Sequence, residues 1–175
     1  MLNNQIEITD VHVNDVELLR DISIQTFTET FANSNTESDM RKYIADRLSS
    51  QQLSEELHHP NSNFYFLKSD HQIVGYLKLN TKDAQTEKQP DGSIEIERIY
   101  LTESCQGKNF GKLLIQKAID IAKEKQCKYI WLAVWEHNTK AIAFYKKQGF
   151  IEFDKHIFKL GDDEQLDIMM KQELN

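Results

Sequence analysis

Between Ile94 and Lys112 the chain reads Ile-Glu-Ile-Glu-Arg-Ile-Tyr-Leu-Thr-Glu-Ser-Cys-Gln-Gly-Lys-Asn-Phe-Gly-Lys, passing from a strand through a short loop with two glycines straight into a helix. Glycine lets a backbone come close to a ligand, and the first turn of a helix offers unpaired N–H groups with a partial positive charge. Loop and helix start together make a phosphate cradle, to which Lys108 and Lys112 add formal charge. The stretch lacks Gly-x-x-x-x-Gly-Lys-Ser/Thr, so it is not a nucleotide P-loop, and Gly-x-Gly-x-x-Gly is absent. It follows Gln/Arg-x-x-Gly-x-Gly/Ala as Gln106-Gly107-Lys108-Asn109-Phe110-Gly111, with Asn109 where that pattern has its first glycine. Asparagine accepts positive φ better than most residues, so the cradle can survive the exchange.

One strand later comes a second block, Trp135-Glu136-His137-Asn138-Thr139-Lys140-Ala141-Ile142-Ala143-Phe144-Tyr145-Lys146-Lys147-Gln148-Gly149-Phe150. It is similar to Asn-x-x-Ala-x-x-Phe-Tyr-x-x-x-Gly-Phe. With both blocks in this order, the chain from Gln5 to Lys171 resembles the GCN5-related N-acetyltransferase (GNAT) superfamily. The resemblance implies an α/β (α+β) mixed fold, with a central, mostly antiparallel sheet of about seven strands flanked by helices. It also implies a V-shaped opening between the strands Ile94–Leu101 and Tyr129–Trp135, where acetyl-CoA binds as co-substrate.

In that reading the segment Ile99, Tyr100 and Leu101 lines the pantetheine arm. Backbone groups of Ile99 and Leu101 pair with it, and an N–H near Leu101 polarises the thioester carbonyl. Gln106 and the amides of Gly107, Lys108, Asn109, Phe110, Gly111 and Lys112 hold the pyrophosphate. Asn138 contacts the pantetheine or simply caps its helix. Lys147 meets the adenosine phosphate or is a solvated helix lysine. Tyr145 is the general acid for the leaving thiolate, with a core tyrosine as the alternative.

Acetyl transfer needs a neutral amine, and an alkyl amine titrates near pH ~10 if lysine is the guide, so a base helps at neutral pH. Glu95 and Glu97 stand two apart on one strand and hence share a face. That alternation carries the same face toward Ile99 and Leu101, making both glutamates candidates for the base. Charged residues on a solvated face are the alternative. No His, Cys or acidic cluster has metal-ligand spacing, and no metal is expected.

The segments Phe158-Lys159-Leu160-Gly161-Asp162-Asp163-Glu164-Gln165-Leu166-Asp167-Ile168-Met169-Met170 and Ile130-Trp131-Leu132-Ala133-Val134-Trp135-Glu136 resemble bacterial PaiA-type spermidine/spermine N-acetyltransferases. A small cationic amine, most simply a polyamine, is the acceptor this implies. Glu29, Glu37 and Asp39 together with Glu95 and Glu97 are the carboxylates available to line its groove. A protein or peptide amine, or a non-catalytic acetyl-CoA-binding regulator, are the other readings.

The elements that must position these residues follow from periodicity. Gln5–Thr9 alternates as a strand. Asn14 and Glu17 have capping-box spacing before a helix from about residue 15 to Phe31 carrying Leu18, Leu19, Ile22, Phe27 and Phe31. Two short helices, Thr36–Leu48 and Ser50–His58, end at Pro60. Phe64–Lys68 and Gln72–Leu79 form a hairpin, followed by the strand Ile94–Leu101. The polar stretch Thr81–Gly92 reads as a surface loop separating two halves of one sheet. Phe110, Leu113, Leu114, Ala118, Ile121 and Ala122 mark a helical stripe, Lys128–Trp135 a strand covered on both faces, and Asn138–Gln148 a helix stopped at Gly149. Phe150–Lys159 and Gln165–Lys171 close the chain as a hairpin.

With 175 residues the chain makes one domain able to bury its own core. Its 21 Lys and Arg against 28 Asp and Glu give a net charge of −7, which disfavours nucleic acid and anionic membranes as partners. The longest apolar run, Tyr129–Trp135, is far below the roughly 20 residues of a membrane span. No signal sequence is visible at the N-terminus, and two cysteines without a pattern suit a reducing compartment, so a cytoplasmic monomer or homodimer is expected.

Overall fold

The computed structural model describes residues 5–174. Strand β1 (Ile6–Asp10) leads to helix α1 (Val16–Phe31). The chain enters α1 with the Asp15 carboxylate accepting the His12 N–H at 2.9 Å, rather than through the expected pair of Asn14 and Glu17. The buried stripe of α1 is Leu19, Ile22, Ser23, Thr26 and Phe27, while Leu18, expected inside, is 52% exposed. Thr26 tolerates burial because its hydroxyl donates to the Ile22 carbonyl. Helices α2 (Glu37–Arg47) and α3 (Ser50–His58) start at side-chain caps, with Thr36 and Ser49 accepting N–H groups of Asp39 and Gln52.

Strands β2 (Ser62–Ser69), β3 (Gln72–Thr81) and β4 (Ser93–Leu101) form an antiparallel meander. Helix α4 (Phe110–Glu124) crosses to β5 (Tyr129–Trp135), and α5 (Thr139–Lys147) leads to the hairpin of β6 (Ile151–Leu160) and β7 (Asp163–Glu173). The sheet order is β1-β2-β3-β4-β5-β7-β6, with β4 and β5 parallel and every other neighbouring pair antiparallel. This is the mixed sheet that the sequence implied. Leu114, Ile115, Ala118, Ile121 and Ala122 of α4 pack on one face with Ile94, Ile96 and Leu132. Leu113, expected on that stripe, points outward, and Ile115 takes its place. Helices α1 to α3 pack on the other face around Leu19, Phe27, Leu53, Phe66 and Tyr76. None of the helices among the described residues is long and apolar enough to cross a membrane.

The parallel ladder is short. Ser93–Ile96 pair with Tyr129–Leu132, and beyond them β4 continues along β3 while β5 continues along β7, so the sheet splays into a V. A β-bulge starts at the same place: Leu79 pairs with Ile96 but Lys78 pairs with Arg98, leaving Glu97 as the extra residue. A bulge bends its strand and sharpens its twist, which steers the end of β4 away from β5. It also resets the alternation of side chains. Ile94 and Ile96 face α4, and after the bulge it is Ile99 and Leu101 that do so. The expectation that the face of Glu95 and Glu97 runs on to Ile99 and Leu101 is therefore corrected: beyond the bulge the glutamates share their side with Arg98 and Tyr100.

The far wall of the opening is set by the β6–β7 turn, which docks on α2 through the Asp162 N–H donating to Asp39 at 2.9 Å and the Lys42–Asp162 ion pair. Gly161 makes that docking possible, with φ +64 and no room for a side chain: a Cβ would lie 2.6 Å from the Asp39 Cα. Gly161→Ala is expected to destabilise the fold by at least the ~1–2 kcal/mol of a left-handed non-glycine residue. A urea melt with an unchanged midpoint would contradict this docking.

Candidate active site

The splay opens into a cavity of about 910 Å³ with two arms. One arm runs along the end of β4 to the start of α4. Thr102 N–H donates to Val74 O at 2.9 Å, and amides in an antiparallel ladder alternate in direction. Tyr100 therefore turns its backbone toward β3, whereas Ile99 and Leu101 turn theirs into the splay. The Tyr100 ring packs with Tyr76 and Phe31 and, with Phe31, lines the cavity. Of this segment it is Ile99 and Leu101 that offer free backbone groups.

At the foot of this arm, Asn109 holds φ +64 and starts α4 without a side-chain cap. The first intrahelical bond is Leu113 N–H to Asn109 O, so the amides of Phe110, Gly111 and Lys112 have no helical partner. Gly107, at φ +77, has nothing within 4 Å of where a Cβ would sit, so its surroundings are open to a ligand. This cradle fits a pyrophosphate: uncapped donors at a helix start, with Lys112, Lys140 and Lys147 on the same cavity wall. Gln106 lines the cavity, Lys108 does not, and the Phe110 side chain belongs to the core, leaving only its backbone for a ligand. Asn138 both caps α5, accepting the Ala141 N–H at 3.2 Å, and lines the cavity. Tyr145 is buried between Phe144 and Phe150 and reaches the cavity from α5. Burial alone pushes its phenol far above the ordinary range, so it carries its proton at neutral pH.

The other arm holds the carboxylates. Glu97 accepts from Lys78 and Asn80 and pairs with Arg98 at 3.3 Å, while Arg98 is bound at 2.8 and 3.0 Å by both oxygens of Glu56. Lys78 closes the group on Glu56 at 2.9 Å. Burial opposes the charge on Glu97, but Arg98 and Lys78 overcome it and hold the group down at about 2. Glu95, 2% exposed, has no cation of its own. Burial first and the neighbouring Glu97 second raise it to about 7. Its carboxylate accepts the Thr86 N–H at 2.8 Å, the Thr86 hydroxyl and the Asn80 amide at 3.2 Å.

Thr86 belongs to the stretch between β3 and β4 that the sequence marked as a plain surface loop. Its polar side chains instead tie it across the sheet: Trp131 Nε1 donates to Gln85 at 2.7 Å and Tyr129 Oη to Gln89 at 2.8 Å. No hydrophobic period marks such a strap, so sequence pattern could not show it. Glu29, Glu37 and Asp39, expected along an acceptor groove, do not line this cavity; they accept the Glu103 N–H, the Arg41 guanidinium and the Asp162 N–H. In their place stand Asp46, Glu87 and Asp167, with His156 between the last two. Contact with Asp167 and the charge of Glu87 hold the His156 imidazole above its ordinary value against its burial.

Residues 19–150 match the Acetyltransferase (GNAT) family. The chain belongs to that family. It is 40% identical over 169 residues to an uncharacterized N-acetyltransferase of Lactobacillus delbrueckii subsp. lactis, covering 97% of this chain and 98% of the relative. A spermidine N(1)-acetyltransferase of Thermoplasma acidophilum is 26% identical over 171 residues, 95% of this chain and 96% of that one. Among solved structures, PaiA N-acetyltransferase from Thermoplasma acidophilum in complex with coenzyme A superposes with a TM-score of 0.80 at 23% identity, covering 97% and 99% of the two chains. The protein is thus a GNAT-type N-acetyltransferase, with acetyl-CoA as co-substrate.

The ion cluster beneath the site sets its own stability test. Removing one partner of a buried ionic group costs about 3–5 kcal/mol because a charge is stranded. Arg98→Met is expected to lose that much in chemical denaturation. Glu56→Leu/Arg98→Met, which leaves Lys78 and Glu97 as a matched pair, is expected to recover a large part. Equal losses in the single and double variants would contradict the coupling.

Proposed function

We propose that the protein moves the acetyl group of acetyl-CoA to a primary amine of a small polycation, a polyamine or a similar amine, with Glu95 as general base and Tyr145 as general acid. The observation that carries this reading is the contrast between the two glutamates. Glu97 is locked by Lys78 and Arg98 and held far too acidic to take a proton at neutral pH, whereas Glu95 titrates near neutrality on the cavity wall. A base works best when its pKa lies near the working pH, so Glu95 is the one suited to accept the proton of an arriving ammonium.

The backbone of Ile99 and Leu101 binds the pantetheine as a neighbouring strand would, and the Leu101 N–H stabilises charge developing on the thioester oxygen. Amides from Gly107 to Lys112 hold the pyrophosphate, and Lys147 meets the phosphate at the adenosine end. Tyr145, neutral at all working pH, donates its proton to the departing thiolate. Asp46, Glu87, Glu95, Glu97 and Asp167 line the acceptor arm against Arg47, Arg98 and Lys159, an excess of carboxylates that supports a compact cation over a peptide backbone. The spermidine acetyltransferase relative supports the same acceptor class.

Thiol release from purified protein with acetyl-CoA and a panel of amines tests the reading. Spermidine or a short diamine is expected to be acetylated faster than lysine in a peptide; the reverse order overturns the polyamine acceptor. Tyr145→Phe and Glu95→Gln are each expected to lower kcat roughly 10²- to 10⁴-fold. With a base ionised only above its pKa, wild-type kcat/KM should climb as pH rises through about 7. Glu95→Gln should lose the inflection near 7 and climb only with the titration of the amine itself, a profile shifted upward, and a retained inflection near 7 would move the base elsewhere.

A further inference from the structure

The cavity wall also carries four side chains that the transfer chemistry leaves unused. Gln165 and Asp167 are two apart on β7 and face the same way. His156 stands opposite Asp167 in the β6–β7 register, and Glu87 reaches in from the strap between β3 and β4. All four line the cavity.

Their hydrogen bonding is incomplete. Gln165 is 7% exposed; its amide nitrogen donates to Asn35 and Asp163, but its Oε1 has no partner. Asp167 is 8% exposed, and the nearest cationic nitrogen, His156 Nε2, lies 3.6 Å away, beyond hydrogen-bond length. His156 Nδ1 stands 3.5 Å from Glu87, again without a bond, and is itself unpaired. Even with the imidazole charged, two carboxylates against one cation leave a negative charge over. Gln165 Oε1 is a buried acceptor without a donor, beside the buried Asp167 and the 44%-exposed Glu87, and a ligand with several N–H groups and positive charge would satisfy them together. The Tyr43 and Phe158 rings line the same cavity and provide apolar wall for a methylene chain.

We propose that Asp167, Gln165, Glu87 and His156 form a second ammonium subsite, which holds the non-reacting amine of the acceptor while Glu95 takes the proton from the reacting one. The subsite rests on the acceptor reading above and sharpens it: the enzyme should select molecules with two amines over a monoamine of the same length. Hydrogen bonds to charged groups of this kind correspond to roughly tenfold to hundredfold in affinity.

The test compares 1,4-diaminobutane and spermidine with n-butylamine as acceptors. Wild type is expected to favour the diamine by about tenfold or more in kcat/KM. Asp167→Asn should collapse that preference toward unity, and Asp167→Glu, which keeps the charge, should restore part of it. A diamine preference unaltered in Asp167→Asn, or a wild type indifferent to the second amine, overturns the subsite. A binding readout separates this from the chemistry: spermidine should raise the thermal midpoint of the CoA-bound wild type and fail to do so in Asp167→Asn. If that shift appears but no amine is acetylated, the subsite stands and the transfer reading falls. If spermidine gives no shift in wild type, the subsite falls whatever the turnover.

Discussion

A sheet interrupted in its middle is the constraint on which this protein is built. Between β4 and β5 the ladder stops after the pairing of Ile96 with Leu132, so backbone groups that a sheet normally satisfies are left open inside the fold. Buried backbone donors without partners are rare because each costs about as much as a lost hydrogen bond. The splay is tolerable because both strands are held on their outer sides, β4 by β3 and β5 by β7, over the whole length that is open. What remains is an opening whose free backbone groups can bond a ligand as a strand would. The uncapped start of α4 and the carboxylates Glu95 and Glu97 line the same cavity, so one backbone irregularity brings donors and carboxylates to a common opening.

The bulge at Glu97 sets the electrostatics as well as the shape. An unbroken strand would have given Glu95 and Glu97 equivalent surroundings on one face. The extra residue instead places Glu97 among Lys78, Arg98 and Asn80, where its charge is absorbed. Its remaining influence is to make a second negative charge on Glu95 less favourable. Two carboxylates two residues apart thus take opposite protonation behaviour from one local distortion, aided by Thr86, whose two hydrogen bonds keep Glu95 from rising further.

Most of the scaffold was legible in the sequence, because long periodic segments such as α1, α4 and β5 carry their burial in their spacing. The helix stripe was right in direction and off by a flank, since Leu113 and Ile115 lie symmetrically about Leu114 and only the packed sheet chooses between them. The Gln106–Lys112 run and the block ending at Phe150 were legible as motifs, and the structure puts Gln106, Gly107, Asn109, Gly111, Lys112 and Tyr145 on one cavity. The distinction between Glu95 and Glu97 was not, since it depends on a bulge that no residue type announces and on Lys78 and Glu56 from distant elements. The carboxylate wall escaped for the same reason: Glu87, His156 and Asp167 come from a polar strap and a terminal hairpin whose meeting is tertiary. Acidic residues of the first helices looked equally suitable by composition, and the fold uses them as caps and tethers.

The central claim is that Ile99 and Leu101 hold open backbone groups which the acetyl-CoA arm occupies as a missing strand. Amide hydrogen exchange read residue by residue, with and without coenzyme A, tests it directly. The account expects Tyr100 to be protected in both states, and Ile99 and Leu101 to exchange fast in the free protein and slow sharply once coenzyme A is bound. Amides of Ile99 and Leu101 that are already protected without the ligand, or that do not respond to it, would contradict the account.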